Sequence, residues 1–334
     1  MKKNIFNKIV LLIIMIGIVV FILFWEQKKN TNGYTTIWNF QSIDTMKYSR
    51  DLSRQKLNDD SFNAIIDMQV KNIAATGATH IAIDTPYDDE FFPILKRWVV
   101  SARKYKLKVW FRGNWSGWEG WFGYSKIDRE THIAKTREFI LNHRDIFQDG
   151  DIFTACPECE NGGPGDPRET GDLRGHRKFL IDEYAVTKQA FKQIGKNIAS
   201  NYDSMNGDVA SVVMDKATTQ ALDGIVTIDH YVATPEQLVA KVNEIAKNTG
   251  GKVVLGEFGA PIPNLNGDMT QDQQAAWISQ ALSLLIKSPN IIGMNYWTNV
   301  GSTTALWNDD ESERKAVSVI KNFYSTVFVR GINP

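Results

Sequence analysis

Eight short β-rich runs, each followed by an amphipathic stretch, recur along residues 35–328 and constrain this chain more than any other feature. The runs lie at 35–39, 79–84, 108–112, 151–156, 197–201, 224–230, 252–257 and 290–297. Helical patterns follow them at 59–76, 90–105, 129–143, 174–194, 209–222, 235–248, 271–287 and 311–328. Repeated strand-then-helix units predict a parallel sheet, because each helix carries the chain back to start the next strand in the same direction. Eight such units predict closure, and 334 residues suffice for an α/β-class (β/α)8 TIM barrel in one domain. The rival is an open doubly wound sheet, but no GxGxxG follows the first run. Start signals agree with the helices. Thr234-Pro235-Glu236 predicts an N-cap with proline at the first helical position, and Thr270 with Gln273 predicts a capping box.

The first 29 residues are of another kind. Lys2, Lys3 and Lys8 precede a charge-free run of seventeen residues at 9–25, and Glu26, Lys28 and Lys29 follow it. A membrane-spanning helix needs about 17–25 residues, and no small-residue cleavage site follows this run. The expectation is an uncleaved N-terminal transmembrane helix over 1–29, ahead of a cleaved signal peptide. The body at 30–334 is then expected outside the cell membrane. Beyond residue 29 the chain carries 33 basic and 37 acidic side chains and no basic run interleaved with aromatics. Nucleic acid is therefore not an expected partner. Cys156 and Cys159 are the two cysteines and form a CxxC. Outside the cell a local disulfide or free thiols are expected ahead of a redox centre or half of a zinc site, since no second Cys/His pair completes one. No metal and no cofactor are expected.

Barrels of this kind place their chemistry at the carboxyl ends of the strands. Those ends here are Trp38 and Asn39, Asp84, Arg112 and Asn114, Glu158, Asn201, His230 with Tyr231, Glu257, and Trp297 with Asn299. Glu158 and Glu257 close the fourth and seventh runs, which face each other across the mouth of an eight-stranded barrel. Two carboxyls about 5–5.5 Å apart permit double displacement, one attacking an anomeric carbon while the other protonates the leaving oxygen. The two roles demand different environments. Arg112 is suited to hold the nucleophile ionised and Tyr231 to hydrogen-bond it. One strand-tip glutamate is as often a helix cap or an ion-pair partner; two at matched positions favour catalysis. In the segment from Trp110 to Trp121, Trp115 and Trp118 stand among Gly and Ser as candidate sugar platforms, whereas for Trp110 and Trp121 core packing is an equally credible reading.

These segments resemble clan A retaining glycoside hydrolases, closest in style to family 5, over residues 35–328. Gly256-Glu257-Phe258-Gly259 resembles the nucleophile segment of that clan, and Asp229-His230-Tyr231 its strand-6 His/Tyr pair. Asn295-Tyr296-Trp297 resembles the strand-8 aromatic beneath the −1 sugar, and Pro157-Glu158-Cys159 the acid/base segment. The resemblance implies Glu257 as nucleophile and Glu158 as acid/base of a retaining β-glycosidase acting on an oligo- or polysaccharide. Loop lengths suggest an open cleft and so an endo-acting β-glycanase, and a monomer is expected. The expected substrate contacts are Trp38, Arg112, Asn114, Trp115, Trp118, Glu160, Asn161, Asn201, His230, Tyr231 and Trp297. The chain departs from the pattern at Pro157, where the clan carries the Asn that binds the substrate 2-hydroxyl. Glu160 therefore stands as a second candidate acid, and Asn161 or Asn201 as replacement for that Asn. The same departure keeps open a membrane-tethered carbohydrate-binding barrel without activity. A metal-dependent barrel hydrolase is disfavoured by only five scattered His.

Overall fold

The computed structural model describes residues 37–329 and 331. The chain divides after Thr35 into two units, and the second contains all of the described fold. The apolar run at 9–25 and the expected boundary at 29/30 lie outside the described residues. Among the described residues no helix is long and apolar enough to cross a membrane.

Eight parallel strands form one sheet: β1 (Phe40–Asp44), β2 (His80–Ile83), β3 (Lys108–Phe111), β4 (Ile152–Phe153), β5 (Ser204–Asn206), β6 (Ile225–Asp229), β7 (Lys252–Phe258) and β8 (Ile291–Tyr296). Their order is β4-β3-β2-β1-β8-β7-β6-β5. A parallel bridge between Ile152 and Ala199, with Phe153 N–H donating to Ala199 O at 2.8 Å, ties β4 to the segment entering β5 and closes the ring. Helices between successive strands form the outer layer. The helix Phe62–Ala75 shows why they dock: its buried Phe62, Ile66, Val70 and Ile73 recur every three to four residues on one face. The capping box expected at Thr270 is present, and a second one stands at Thr234 with Pro235 at the first helical position.

The barrel interior is filled in two tiers. Its amino half is apolar, with Phe40, Ala82, Trp110, Ile152, Ala199, Tyr202 and Val254 in one cluster. Its carboxyl half is polar, with Ser42, Asp44, Asp84, Arg112, Thr154, Ser204, Asp229 and Asn295 all buried.

Three elements differ from expectation. The first strand is Phe40–Asp44, and Ile37–Trp38 instead forms a small parallel pair with Phe328–Val329. The run at 197–201 makes only the Ala199 bridge, and β6 pairs with Ser204–Asn206. The pattern at 209–222 is two helices, Gly207–Val213 and Lys216–Ala221, because the Asp215 side chain caps Thr218 N–H and starts the second.

Candidate active site

Arg112 follows β3 and is 2% exposed, an arrangement that burial alone would make very costly. Four carboxylates compensate. Its Nη2 lies 3.1 Å from Glu257 Oε1 and 3.1 Å from Asp229 Oδ2. Nη1 lies 3.4 Å from Asp44 Oδ2, and Nε lies 3.9 Å from Asp84 Oδ1. Nη1 also donates to Gly256 O at 2.6 Å, and Nη2 to Ser204 Oγ at 3.2 Å. Burial opposes the charge, but Asp229, Glu257, Asp84 and Asp44 together hold the guanidinium pKa well above its ordinary value. One cation does not neutralise four carboxylates. Burial accordingly pushes Asp84 and Asp229 well above the usual carboxylate range, and Asp44 up to about 6 against the pull of Arg112. Asn295 completes the floor, its Nδ2 donating to Asp44 Oδ2 at 2.9 Å and to Gly256 O at 3.0 Å.

Glu257 owes its aim to an irregularity in β7. Side chains of a strand alternate between faces. Val254 joins the interior cluster and Leu255 the outer core, so strict alternation would send Glu257 outward with Leu255. The register between β6 and β7 shifts at Ile228/Asp229, pairing Asp229 with Glu257 directly. The bulge places both Gly256 and Glu257 on the interior side. A Cβ on Gly256 would fall 2.3 Å from Asp229 Oδ1 and 3.0 Å from side-chain carbons of Ser204 and Thr227, so a larger residue here displaces groups of the site. Glu257 then accepts from Arg112 on Oε1 and from Tyr231 Oη on Oε2 at 2.7 Å. Burial and then the Glu257 charge push the Tyr231 phenol well above its ordinary pKa, so it remains a donor. Trp297 stands edge-on to Tyr231, ring centroids 5.9 Å apart, and Lys47 Nζ lies 5.6 Å from the Trp297 ring centre.

Glu158 sits in left-handed backbone, φ 47° and ψ 49°, just past β4. Its N–H donates to Ser204 O at 2.7 Å, and its Oε2 accepts from Asn161 Nδ2 at 2.9 Å. Ser204 thus touches both halves of the site, through its carbonyl to Glu158 and through its hydroxyl to Arg112. Burial first, then the charges of Glu257 and Glu160, push the Glu158 carboxyl up to about 8. Glu160 is differently engaged. It is buried, its Oε1 accepts from Asn206 N–H at 2.7 Å, and its Oε2 has no partner. Burial raises it to about 7 against the Asn206 hydrogen bond, with smaller effects from the charges of Asp166 and Arg168. Glu158 thus feels the Glu257 charge, whereas Glu160 is tied to the backbone at the end of β5.

A chain of buried groups supports the cleft wall. Trp115 N–H donates to Asn114 Oδ1 at 2.7 Å, which fixes the amide orientation, and Asn114 Nδ2 donates to Glu119 Oε1 at 2.9 Å. His132 Nε2 lies 2.9 Å from the same Oδ1 and must carry a proton to bond there. His132 Nδ1 meets Glu183 Oε1 at 2.7 Å. Burial raises Glu119 to about 7. Cys156 and Cys159 are joined in a disulfide, Cα atoms 5.2 Å apart. Ligand atoms of His132, Cys156 and Glu183 lie within 4.8 Å of one another, but Cys156 is committed to the disulfide and both His132 nitrogens have partners.

The structure thus brings together Arg112, Glu158, Asn161, Tyr231, Glu257 and Trp297. Other expected contacts fall elsewhere. Trp38 precedes β1 at the amino end of the barrel and packs on Phe323 at 5.3 Å, because the first strand begins later than expected. Asn201 donates to Leu222 O and lines a cavity of about 380 Å3 with Asn39 and Ile225, also toward the amino end. Trp115 is core, with Nε1 donating to Thr136 Oγ1 and its ring against Tyr87 and Phe139. Trp118 is core as well, stacked on Phe179 at 5.0 Å with Nε1 donating to Cys159 O. Asn114 holds the wall through Glu119 and His132. His230 lies at the tip of β6 with Nδ1 toward Gly207. Trp121, for which core packing is also a credible reading, is partly exposed, with the Arg50 guanidinium 4.8 Å from its ring centre.

Sequence reasoning assigned no role to Asp44, Ser204 or Glu119. The signal for Asp44 was the strand Phe40-Gln-Ser-Ile-Asp44, whose polar alternate residues face a barrel interior. Ser204 and Glu119 carried none.

No family model matches the chain, and no curated protein matches it in sequence. Solved structures share its fold. A β-glycosidase, BGL167, superposes with a TM-score of 0.54 at 12% identity over 91% of this chain and 100% of its own. A β-D-glucuronidase of Dictyoglomus thermophilum gives 0.56 at 13% identity, over 90% of this chain and 52% of its own. A β-glucuronidase of Ruminococcus gnavus, solved with D-glucuronic acid, gives 0.53 at 12% identity, over 78% of this chain and 45% of its own. The chain spans about half the length of these glucuronidases. At such identities the likeness establishes the barrel fold.

Proposed function

We propose that the chain is a retaining glycoside hydrolase that cleaves β-linked oligo- or polysaccharides, with Glu257 as nucleophile and Glu158 as general acid and base. The observation that carries this reading is the unequal treatment of the two carboxyls. Glu257 accepts hydrogen bonds on both oxygens, one from a guanidinium, as an attacking carboxylate requires. Glu158 is pushed up to about 8 and keeps its proton at neutral pH, as a proton donor requires. In the first step Glu257 attacks the anomeric carbon while Glu158 protonates the departing oxygen. The bond to the aglycone breaks and a glycosyl ester forms on Glu257. In the second step the Glu158 carboxylate takes a proton from water, which attacks the same carbon and releases Glu257. Two inversions give net retention. Trp297, standing against Tyr231, offers an apolar face for the sugar.

The apolar run at 9–25 supports a further part of the reading, that the barrel is tethered to the membrane and works outside the cell. The barrel neighbours support a β-glycosidic substrate by fold. A panel of aryl β-glycosides and β-linked polysaccharides, with the first-formed anomer read by NMR, tests the proposal. A β product formed first is expected. An α product, or no hydrolysis across the panel, contradicts it.

A further inference from the structure

We propose that the Cys156–Cys159 disulfide is a positioning element for the general acid, so that only the oxidised chain presents the Glu158 carboxyl to the leaving oxygen. This rests on the reading of Glu158 as the acid. Glu158 lies inside the ring that the disulfide closes: Cys156, Pro157, Glu158, Cys159. Within that ring the proline fixes its own φ and restricts Cys156 before it to extended backbone. Glu158 therefore carries most of the remaining torsional freedom, and it is held in left-handed backbone, φ 47°, where a side-chain-bearing residue is uncommon. Besides the ring, Ser204 and Asn161 hold it there. Its N–H is tied to Ser204 O at 2.7 Å, its carbonyl accepts from Asn161 N–H at 2.8 Å and its carboxyl from Asn161 Nδ2 at 2.9 Å. Asn161 is exposed and within two residues of Cys159, so that tie moves with the ring.

The ring is in turn fixed to the wall. Both sulfur-bearing residues are buried, Cys156 at 0% and Cys159 at 2% exposure. Asn114 Nδ2 approaches Cys156 Sγ at 3.8 Å, and Cys159 O accepts from Trp118 Nε1 at 3.2 Å. Gly162 and Gly163 lie so close to the Trp118 indole that a Cβ on either would fall within 2.6 Å of its ring atoms. The anchored partners are core groups, so opening the ring frees the acid and leaves the barrel standing. Reduction by a dithiol breaks the Sγ–Sγ bond. Two electrons and two protons pass from the dithiol to the cysteines, and the reagent leaves as its cyclic disulfide.

The test compares oxidised enzyme, dithiothreitol-treated enzyme and the double variant C156A/C159A on aryl β-glycosides with good and poor leaving groups. A poor leaving group needs the acid and a good one does not, so displacement of the acid is read as a ratio. Reduced enzyme and the double variant are expected to lose about 10–100-fold in kcat/KM on the poor leaving group, since an ångström-scale misplacement costs about that much. Loss on the good leaving group stays within about twofold, which also shows that the barrel is folded. Equal losses on both substrates, no loss on either, or two alkylatable thiols in the untreated enzyme overturn the proposal. Glu158→Ala, run in parallel, separates the two claims. If that variant lacks the leaving-group ratio, the assignment of the acid fails; if it shows the ratio and reduced enzyme does not, only the disulfide's role fails.

Discussion

Tyr231 Oη and Arg112 Nη2 bind opposite oxygens of Glu257, at 2.7 Å and 3.1 Å, so Tyr231 fixes the rotation of a carboxylate that Arg112 anchors. The phenol stands two residues past the end of β6, whose ladder to β7 continues through His230 N–H to Glu257 O at 2.9 Å. Tyr231→Phe keeps the ring against Trp297 and removes only the donor. The expected outcome is a fall in kcat of about 10²–10³-fold, as for loss of one preorganised donor, with KM changed far less. Steady-state kinetics on an aryl glycoside check it. An unchanged kcat contradicts a positioning role.

The Glu158 carboxyl, pushed up to about 8, sets a pH limit on activity. The protonated form is the working one, so kcat/KM holds below that value and falls as pH rises through it. For a good leaving group the fall should be weak. Glu158→Gln should abolish the alkaline limb along with turnover of poor leaving groups. An identical alkaline limb in Glu158→Gln would assign it to another residue.

Stability should carry the same signature. Burial raises Glu119 and Glu160 to about 7 and Glu158 to about 8 from an ordinary 4.5. The folded protein binds these protons more tightly than the unfolded chain. Their contribution is therefore complete below about pH 4.5 and is lost as pH rises through 7 to 8. Thermal melts between pH 5 and 8.5 should show Tm declining across this window. Glu160→Gln, which stays neutral throughout, should flatten the decline, and a slope as steep as that of the parent chain would contradict the assignment.

Gly256→Ala probes the bulge. The added methyl would meet Asp229 Oδ1 at 2.3 Å, with Ser204 and Thr227 at 3.0 Å, so the Asp229 carboxyl is displaced from Arg112 or β7 shifts to admit it. Activity is expected to fall at least about 10²-fold, with a destabilisation of about 1–3 kcal/mol from overpacking. Kinetics and denaturant melts read the two effects separately.

Much of this was legible in the chain. Eight strand-and-helix units announced the barrel, and Arg112, Tyr231, Glu257 and Trp297 each stand at a strand end where apolar alternation stops. The errors have local causes. The stretch from Thr35 to Ile43 holds β-formers on both sides of Asn39, so periodicity does not set where β1 begins, and Trp38 reads as a tip although it precedes the strand. Gly and Ser around Trp115 and Trp118 suggested an exposed loop. Gly162 and Gly163 instead permit close approach to the Trp118 indole, and Gly117 would clash with Ser125 O at 2.4 Å if it bore a Cβ. Glycine in that wall marks tight packing. Alternation does not choose between Glu158 and Glu160, because both fall on one side of an extended segment; only the likeness of Pro157-Glu158-Cys159 to the clan's acid/base segment favours Glu158. In the structure Glu160 lies inside the turn Cys159–Asn161 and Glu158 just before it.

The most direct test of the central claim is Glu257→Ala assayed with and without azide on an activated β-glycoside. The account predicts loss of turnover by about 10⁴-fold or more without azide, and recovery with it. The recovered product should be the α-glycosyl azide, formed by a single inversion in the space the carboxylate vacated. Turnover near the parent rate in Glu257→Ala, or a β-configured azide product, would contradict it.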